Sequence, residues 1–87
     1  MRFIWDLGNV LHIAQHGVTP QEAEDVLTDD ATIHVPVRFG RSSAYGVTSA
    51  GRAMRVIYNE DQDGIRVTTA YQIRRRLLSL IQEQAQQ

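Results

Sequence analysis

Cysteine and lysine are both absent from this chain of 87 residues. The lack of cysteine excludes disulfides, thiolate metal sites and cysteine nucleophiles. No apolar run approaches the roughly 20 residues that a membrane-spanning helix needs, and the chain turns acidic at Asp6, where a signal peptide would stay apolar. The sequence therefore predicts a single cytoplasmic domain over residues 1–87, with no membrane anchor and no cofactor.

All nine basic residues are arginines, and they are unevenly distributed along the chain. Residues 1–37 carry one base and six acids, a balance of −5, whereas residues 38–87 carry eight bases and four acids, a balance of +4, which together give the net charge of −1. A basic half of this kind indicates a polyanion or an acidic protein as a partner. Arginine also suits bidentate recognition of phosphate better than lysine does, although genome composition explains the all-arginine usage equally well.

The start of the chain carries the signals of a short strand followed by a helix. Residues 2–5 are mostly apolar and predict a strand, after which Asp6 is a suitable N-cap for a helix over residues 7–15. Gly17 is predicted to end this helix, because glycine readily adopts the left-handed conformation that follows many helix C-termini.

Two further helices are predicted, one from its start signal and one from its apolar spacing. Thr19 and Glu22 have the spacing of a capping box, with Pro20 at the first helical position, and the helix they open is expected to end near residue 27. Apolar residues at helical spacing predict a last helix over residues 72–84. The glutamine-rich tail over residues 82–87 is expected to fray.

Four more strands are predicted between these helices from the alternation of apolar and polar residues. They span residues 31–37, 42–48, 52–58 and 65–70. An acidic loop over residues 59–64 joins the last two as a hairpin. The element order β-α-α-β-β-β-β-α predicts an α+β fold, in which two N-terminal helices and a C-terminal helix pack on a small antiparallel sheet.

Alternation also predicts that two arginines share one face of this sheet. Arg55 and Arg66 have the parity opposite to the apolar residues of their strands, so they are expected on the face that the helices leave open. With Arg41 and Arg52 near strand ends, they make a candidate phosphate-binding surface. The alternative is a solvated face whose arginines form surface ion pairs with the acids of residues 59–64.

The last strand is expected to alternate in the same way. The residues predicted to face the helices are Ile65, Val67 and Thr69. Arg66 and Thr68 are predicted to face the open side. Residues 74–76 are all arginine, and such a run is usually a solvated helix face and sometimes a nucleic-acid contact.

A metal site is a weaker interpretation of the histidines. His12 and His16 are four residues apart on one predicted helix face, but a metal would need a third and a fourth ligand. Only His34 or scattered carboxylates could supply these ligands, so the sequence favours the absence of a metal site. His16 is instead expected to interact with the free carbonyls and the dipole at the end of its helix.

A motif near the start of the chain combines Trp-Asp, Asn, His-Ile and His-Gly-Val. These residues are Trp5-Asp6, Asn9, His12-Ile13 and His16-Gly17-Val18. At this spacing they resemble the opening of the BrnT-like family of bacterial toxins. Residues 51–58 resemble that family's Gly-Arg strand, and residues 65–70 resemble its last strand, which an arginine-rich helix follows. The resemblance extends over nearly the whole chain, and the first motif is its most specific part.

The resemblance implies a RelE-like fold and the ribonuclease toxin of a type II toxin–antitoxin pair. It implies metal-independent cleavage of RNA, in which the ribose 2′-hydroxyl attacks the adjacent phosphorus. The catalytic residues it implies are Arg66, Tyr71 and Arg52. The RNA-binding residues it implies are Arg41, Arg55, Arg74 and Arg75. The implied partner is a small antitoxin, often of the ribbon-helix-helix type, through which alone the toxin would contact DNA.

Three positions before the last helix depart from the family pattern, and within that helix Arg76-Leu77 replaces the family's common Arg-Glu pairing. Ser43 and Val47 stand where the preceding hairpin usually carries basic residues, and Tyr71 stands where the family usually has arginine. Because some RelE-type toxins have a tyrosine just beyond the last strand, Tyr71 is expected to donate a proton or to contact a base or ribose. The sequence offers no evident general base on the open face, so cleavage is expected to be weak.

These departures leave two other interpretations open. The first is a catalytically silent toxin-like module, which binds an antitoxin and acts through it in transcriptional autoregulation. Whether the chain is a toxin or a silent module, an acidic or amphipathic antitoxin segment is expected to cover the face of Arg41, Arg52, Arg55 and Arg66, and salt is expected to weaken the association. The second is an orphan domain with neither activity.

Overall fold

Three α-helices and a four-stranded sheet form over residues 1–86, the part of the chain that this computed structural model describes. In chain order the elements are α1 (Leu7–Ala14), α2 (Pro20–Thr28), β1 (Ile33–Pro36), β2 (Arg41–Val47), β3 (Ala53–Asp61), β4 (Gly64–Gln72) and α3 (Arg75–Ala85). The strands pair antiparallel in the order β1-β2-β3-β4. The α+β class predicted from the sequence is therefore confirmed.

The first two helices each begin with a capping box. The Asp6 carboxylate accepts a hydrogen bond from the backbone N–H of Asn9 at 2.9 Å, and the Asn9 amide oxygen accepts one from the Asp6 N–H at 2.8 Å. Thr19 and Glu22 exchange the equivalent bonds at 3.2 and 3.1 Å, with Pro20 as the first residue of α2. Both helix starts depend on local sequence alone, and both predictions are confirmed.

The N-terminal segment, predicted to be a strand over residues 2–5, forms only a single bridge with the sheet. Phe3 pairs in parallel with Ile65, whose backbone N–H donates to the Arg2 carbonyl at 2.8 Å. The chain leaves the edge of β4 at once because Asp6 already caps α1. The segment therefore covers the start of β4 without adding a strand.

One side of the sheet, which we call the helix face, packs against α1 and α2. Its buried residues are Ala44, Met54, Val56, Tyr58, Ile65, Val67 and Ala70. The helices contribute to the same cluster Ile13, Val18, Ala23, Val26 and Leu27. The opposite side, which we call the second face, carries Ser43, Tyr45, Arg55 and Tyr71.

A β-bulge at Thr68 reverses the alternation of β4. Val67 and Thr69 pair with consecutive residues of β3, so Thr68 is left without a pairing partner. One extra residue moves every later side chain to the opposite face of the sheet. Thr69 therefore lies on the second face, and the prediction that it faces the helices is wrong. Tyr71 has the same parity as Thr69 and lies opposite Arg55.

The last helix is shorter at its start than the sequence predicts. Gln72 still pairs in β4, so α3 begins only at Arg75 and continues through Ala85. Residues 82–85, expected to fray, are helical, and Gln87 lies outside the described residues. The helix contacts β2, and its Leu78 is buried separately from the cluster beneath α1 and α2.

Gly17 provides a test of the turn between α1 and α2. Its φ of +71° lies in the left-handed region, and an added Cβ would be 3.8 Å from the Arg52 guanidinium, an ordinary contact. Gly17→Val should therefore lower the free energy of unfolding by about 1 kcal/mol or more through backbone strain alone. Gly17→Asn is the matched control and should lose less, since asparagine tolerates this conformation. Equal urea midpoints for wild type and Gly17→Val would contradict the assignment.

Candidate functional site

Arg55 is the centre of a polar cluster on the second face. Its Nη1 donates to the Tyr71 hydroxyl at 2.6 Å, and its Nε and Nη2 donate to the Ser43 hydroxyl at 3.2 and 2.9 Å. Its Cζ lies 5.5 Å from the ring centre of Tyr45 and 5.9 Å from that of Tyr71. The register explains these contacts, because Tyr45, Arg55 and Tyr71 are cross-strand neighbours on three adjacent strands. The guanidinium is thus fixed by hydrogen bonds and by two aromatic rings.

His16 joins this cluster from the end of α1. Its ring centre is 6.1 Å from that of Tyr71, in an edge-to-face arrangement, and 5.6 Å from that of His12. Both histidines are exposed to solvent. The sequence associated His16 with the end of its helix and missed its contact with Tyr71. The available signal was the four-residue spacing of the two histidines, which predicts a shared helix face but not the strand beside it.

Arg52 ties three elements together. Its Nη1 donates to the Glu22 carboxylate of α2 at 2.7 Å and to the Gly17 carbonyl at 2.9 Å, while its Nε donates to the Gln72 side chain at 2.9 Å. These partners belong to the α1–α2 side of the molecule. The expectation that Arg52 shares one surface with Arg55 is therefore not met.

A cleft of about 560 Å³ lies where β3 begins and β4 passes into α3. Its lining residues are Gly51, Arg52, Ala53, Gln72, Ile73, Arg74 and Arg75. Arg75 donates a hydrogen bond to the Gly51 carbonyl, and Arg74 is exposed. Three of the arginines singled out from the sequence thus meet at one cleft, a concentration of guanidinium groups suited to phosphate oxygens.

Arg41 and Arg66, which were also singled out from the sequence, lie at the opposite end of the sheet from this cleft. Arg41 and Arg66 are both register partners of Asn59, on either side of it and on the second face. Tyr71 is the fifth residue after Arg66 in β4, a distance of roughly 15 Å along an extended strand. The predicted catalytic pair is therefore divided between the two ends of the sheet.

Ion pairing is sparse on these surfaces. Over residues 1–86 the one ion pair within 4.0 Å joins Arg52 to Glu22. The alternative interpretation expected ion pairs between the acids of residues 59–64 and Arg55 or Arg66. Over residues 1–86 no such ion pair is present. Arg55 is engaged instead by Ser43 and Tyr71.

The described residues contain neither a metal-binding cluster nor a membrane span. Across residues 1–86, no three histidine, aspartate or glutamate side chains are close enough together to hold a metal ion. In the same range, no helix is both long and apolar enough to cross a membrane.

Comparison with known proteins adds no family assignment. No protein-family model, curated protein or solved structure matches this chain. The resemblance to BrnT-like toxins therefore depends on the sequence motifs alone.

The Arg52–Glu22 contact predicts a pH dependence of stability. Burial raises the pKa of Glu22. Hydrogen bonds from Arg52 and from the Thr19 backbone, together with the charge of Arg52, lower this pKa by more than burial raises it, so the net pKa lies below the ordinary 4.5. A carboxylate whose pKa is lowered on folding stabilises the fold above its unfolded-state pKa and loses that contribution as pH falls through the folded-state value.

Glu22→Gln should therefore cost about 0.5–1 kcal/mol of unfolding free energy near pH 7. The difference from wild type should shrink as pH falls below about 4.5, measured by urea unfolding at several pH values. Glu83→Gln, on the exposed side of α3, is the control for removal of one negative charge. A wild-type advantage over Glu22→Gln that is constant between pH 7 and pH 3 would disprove the coupling.

Proposed function

We propose that this chain is a metal-independent, RNA-cleaving toxin of a type II toxin–antitoxin pair, with a RelE-like fold and a cytoplasmic location. The observation that carries the proposal is the contact of the His16 imidazole with Tyr71, whose hydroxyl is bound by Arg55. Imidazole is the side chain most often used as a general base near neutral pH. His16 thus supplies the base that the sequence did not reveal, beside a phenol and a fixed guanidinium.

The proposed reaction is an in-line attack within the RNA strand. His16 removes the proton of a ribose 2′-hydroxyl, whose oxygen forms a bond with the adjacent phosphorus. The bond from phosphorus to the 5′ oxygen breaks, and Tyr71 donates a proton to that oxygen. Arg55 stabilises the negative charge that develops on the phosphoryl oxygens. The products are a 2′,3′-cyclic phosphate and a free 5′-hydroxyl.

The remaining arginines have binding and positioning roles in this proposal. Arg74 and Arg75 contact neighbouring phosphates from the cleft at the start of α3. Arg52 is a positioning residue, because its charge is paired with the Glu22 carboxylate and its hydrogen bonds hold Gly17 and Gln72. Arg66, roughly 15 Å from Tyr71, binds RNA and does not take part in the chemistry.

A second candidate function is that of a catalytically silent module that binds an antitoxin. It is favoured by the exposed leucines of α3, since Leu77 and Leu80 are 46% and 50% exposed and lie three residues apart on one helix face. Exposed apolar side chains grouped in this way are typical of protein-binding surfaces. The partner would be a small ribbon-helix-helix protein, and any contact with DNA would be made by that partner.

Cleavage in the presence of a chelator tests the proposed activity. Wild-type protein should cleave single-stranded RNA in EDTA and leave 2′,3′-cyclic phosphate ends, detected by mass spectrometry. His16→Gln should lower the single-turnover rate by about 10²-fold or more, because it removes the general base. His12→Gln changes the same residue type one turn earlier on α1 and should have a much smaller effect.

Two results would exclude this assignment. If the wild type does not cleave RNA, the enzyme proposal falls and the binding module remains. If wild type and His16→Gln cleave at the same rate, the base is not His16.

The division of the arginines between the two ends of the sheet predicts two distinct kinetic effects. Arg55→Gln should lower the rate at saturating RNA by roughly 10²–10³-fold, through loss of charge stabilisation. Arg66→Gln should raise KM with little change in the saturated rate, since it removes a binding contact only. Circular dichroism of both variants checks that the fold is retained. A comparable fall in the saturated rate for Arg66→Gln would mean that Arg66 takes part in the reaction, which would contradict the assignment of the chemistry to the Tyr71 end of the sheet.

A further inference from the structure

The connection between β1 and β2 contains an aromatic residue whose backbone conformation is unusual. Phe39 has φ +63° and ψ +38°, in the left-handed region, and Gly40 follows with φ +71°. The side chain of Phe39 is 84% exposed. The Cζ atom of Arg41 lies 5.8 Å from the centre of its ring.

This conformation is unfavourable for a phenylalanine in two ways. A bulky side chain is strained in the left-handed region, where glycine would be unstrained. The exposed ring also gains almost nothing from burial in the fold. Strained backbone of this kind persists mainly where a functional contact needs it. The ring of Phe39 is therefore better explained by a ligand than by folding.

The surroundings of Phe39 indicate which ligand it suits. The guanidinium of Arg41 lies over the ring, and the ring is still mostly exposed, so an aromatic and a cationic group stand together at an accessible site. Arg38 precedes the ring in the chain, and Arg66 lies beyond Asn59 on the same face as Arg41. Unpaired nucleobases stack on aromatic rings and guanidinium planes of this type, while flanking arginines bind their phosphates.

Charge alone would not select this ligand. The adjacent hairpin carries Glu60, Asp61 and Asp63 at the same end of the sheet, which balances the three arginines. Within residues 1–86 no ion pair joins these acids to the arginines, and Asp61 instead accepts the backbone N–H of Asp63. Stacking is therefore expected to supply most of the affinity, with a shallow dependence on salt.

We propose that Phe39 and Arg41 form a stacking platform for an unpaired base of single-stranded RNA, with Arg38 and Arg66 on the flanking phosphates. The choice of RNA rests on the proposed function. The platform is at the far end of the second face from His16 and Tyr71. A strand that follows β4, whose second-face residues Arg66, Thr69 and Tyr71 are all at least partly exposed, would reach both. The platform would bind the RNA several nucleotides away from the bond that is cleaved.

Binding of an uncleavable RNA tests this platform. The probe is a fluorescein-labelled oligouridylate of eight nucleotides with 2′-O-methyl riboses, which lack the attacking hydroxyl, and the readout is fluorescence anisotropy. Phe39→Ala should weaken binding about tenfold, and Phe39→Trp should retain it. Phe39→Gly removes the ring and also relieves the backbone, so it should weaken binding while raising the melting temperature. Leu7→Ala, a similarly exposed apolar residue on α1, should bind as wild type does.

Failure of this inference can be distinguished from failure of the proposed function. If wild type cleaves unmodified RNA but binds the probe independently of Phe39, the platform is overturned and the ring is assigned to a protein contact. If wild type cleaves nothing but binds the probe through Phe39, the platform stands and the enzyme proposal falls. If wild type does not bind the probe at protein concentrations up to about 100 μM, the platform is overturned directly.

Discussion

The single extra residue at Thr68 is the constraint on which the second face depends. Up to Val67, β4 directs its odd-numbered residues into the core, and beyond the bulge it directs Ala70 there instead. Without this extra residue Tyr71 would point toward α1 and α2 along with Val67. Bulges are frequent on edge strands and beside functional sites, where they redirect a side chain. Here the redirected side chain is Tyr71, which reaches the guanidinium of Arg55.

The end of α1 supplies the other half of the cluster. Gly17 turns the chain in the left-handed region, and Arg52 holds the Gly17 carbonyl while it also binds α2 and β4. This tie fixes the end of α1 beside the edge of the sheet, where His16 meets Tyr71. Positioning and the proposed chemistry are thus assigned to different residues: Arg52 holds the backbone, and the proposed reaction is assigned to His16, Tyr71 and Arg55.

Most of the fold could be predicted from the sequence because it depends on local signals. The candidate site could not, because it depends on contacts between residues that are distant in sequence. The capping boxes at Asp6 and Thr19 and the turn at Gly17 each depend on neighbouring residues, so they could be predicted. The bulge at Thr68 is set by how β4 registers with β3, and no alternation pattern reveals it. The same limit applies to His16, whose partner is far away in sequence. It applies as well to Arg66 and Tyr71, which are close in sequence but lie at opposite ends of an extended strand.

Nuclear Overhauser contacts of the Tyr71 ring test most directly whether the bulge sets this arrangement. The ring protons should show contacts with the side chain of Arg55 and with the imidazole of His16, because all three meet at one end of the second face. Contacts from Tyr71 to the buried methyl groups of Ile13 or Val56 in their place would mean that β4 alternates without interruption. That result would remove the cluster on which the proposed chemistry depends.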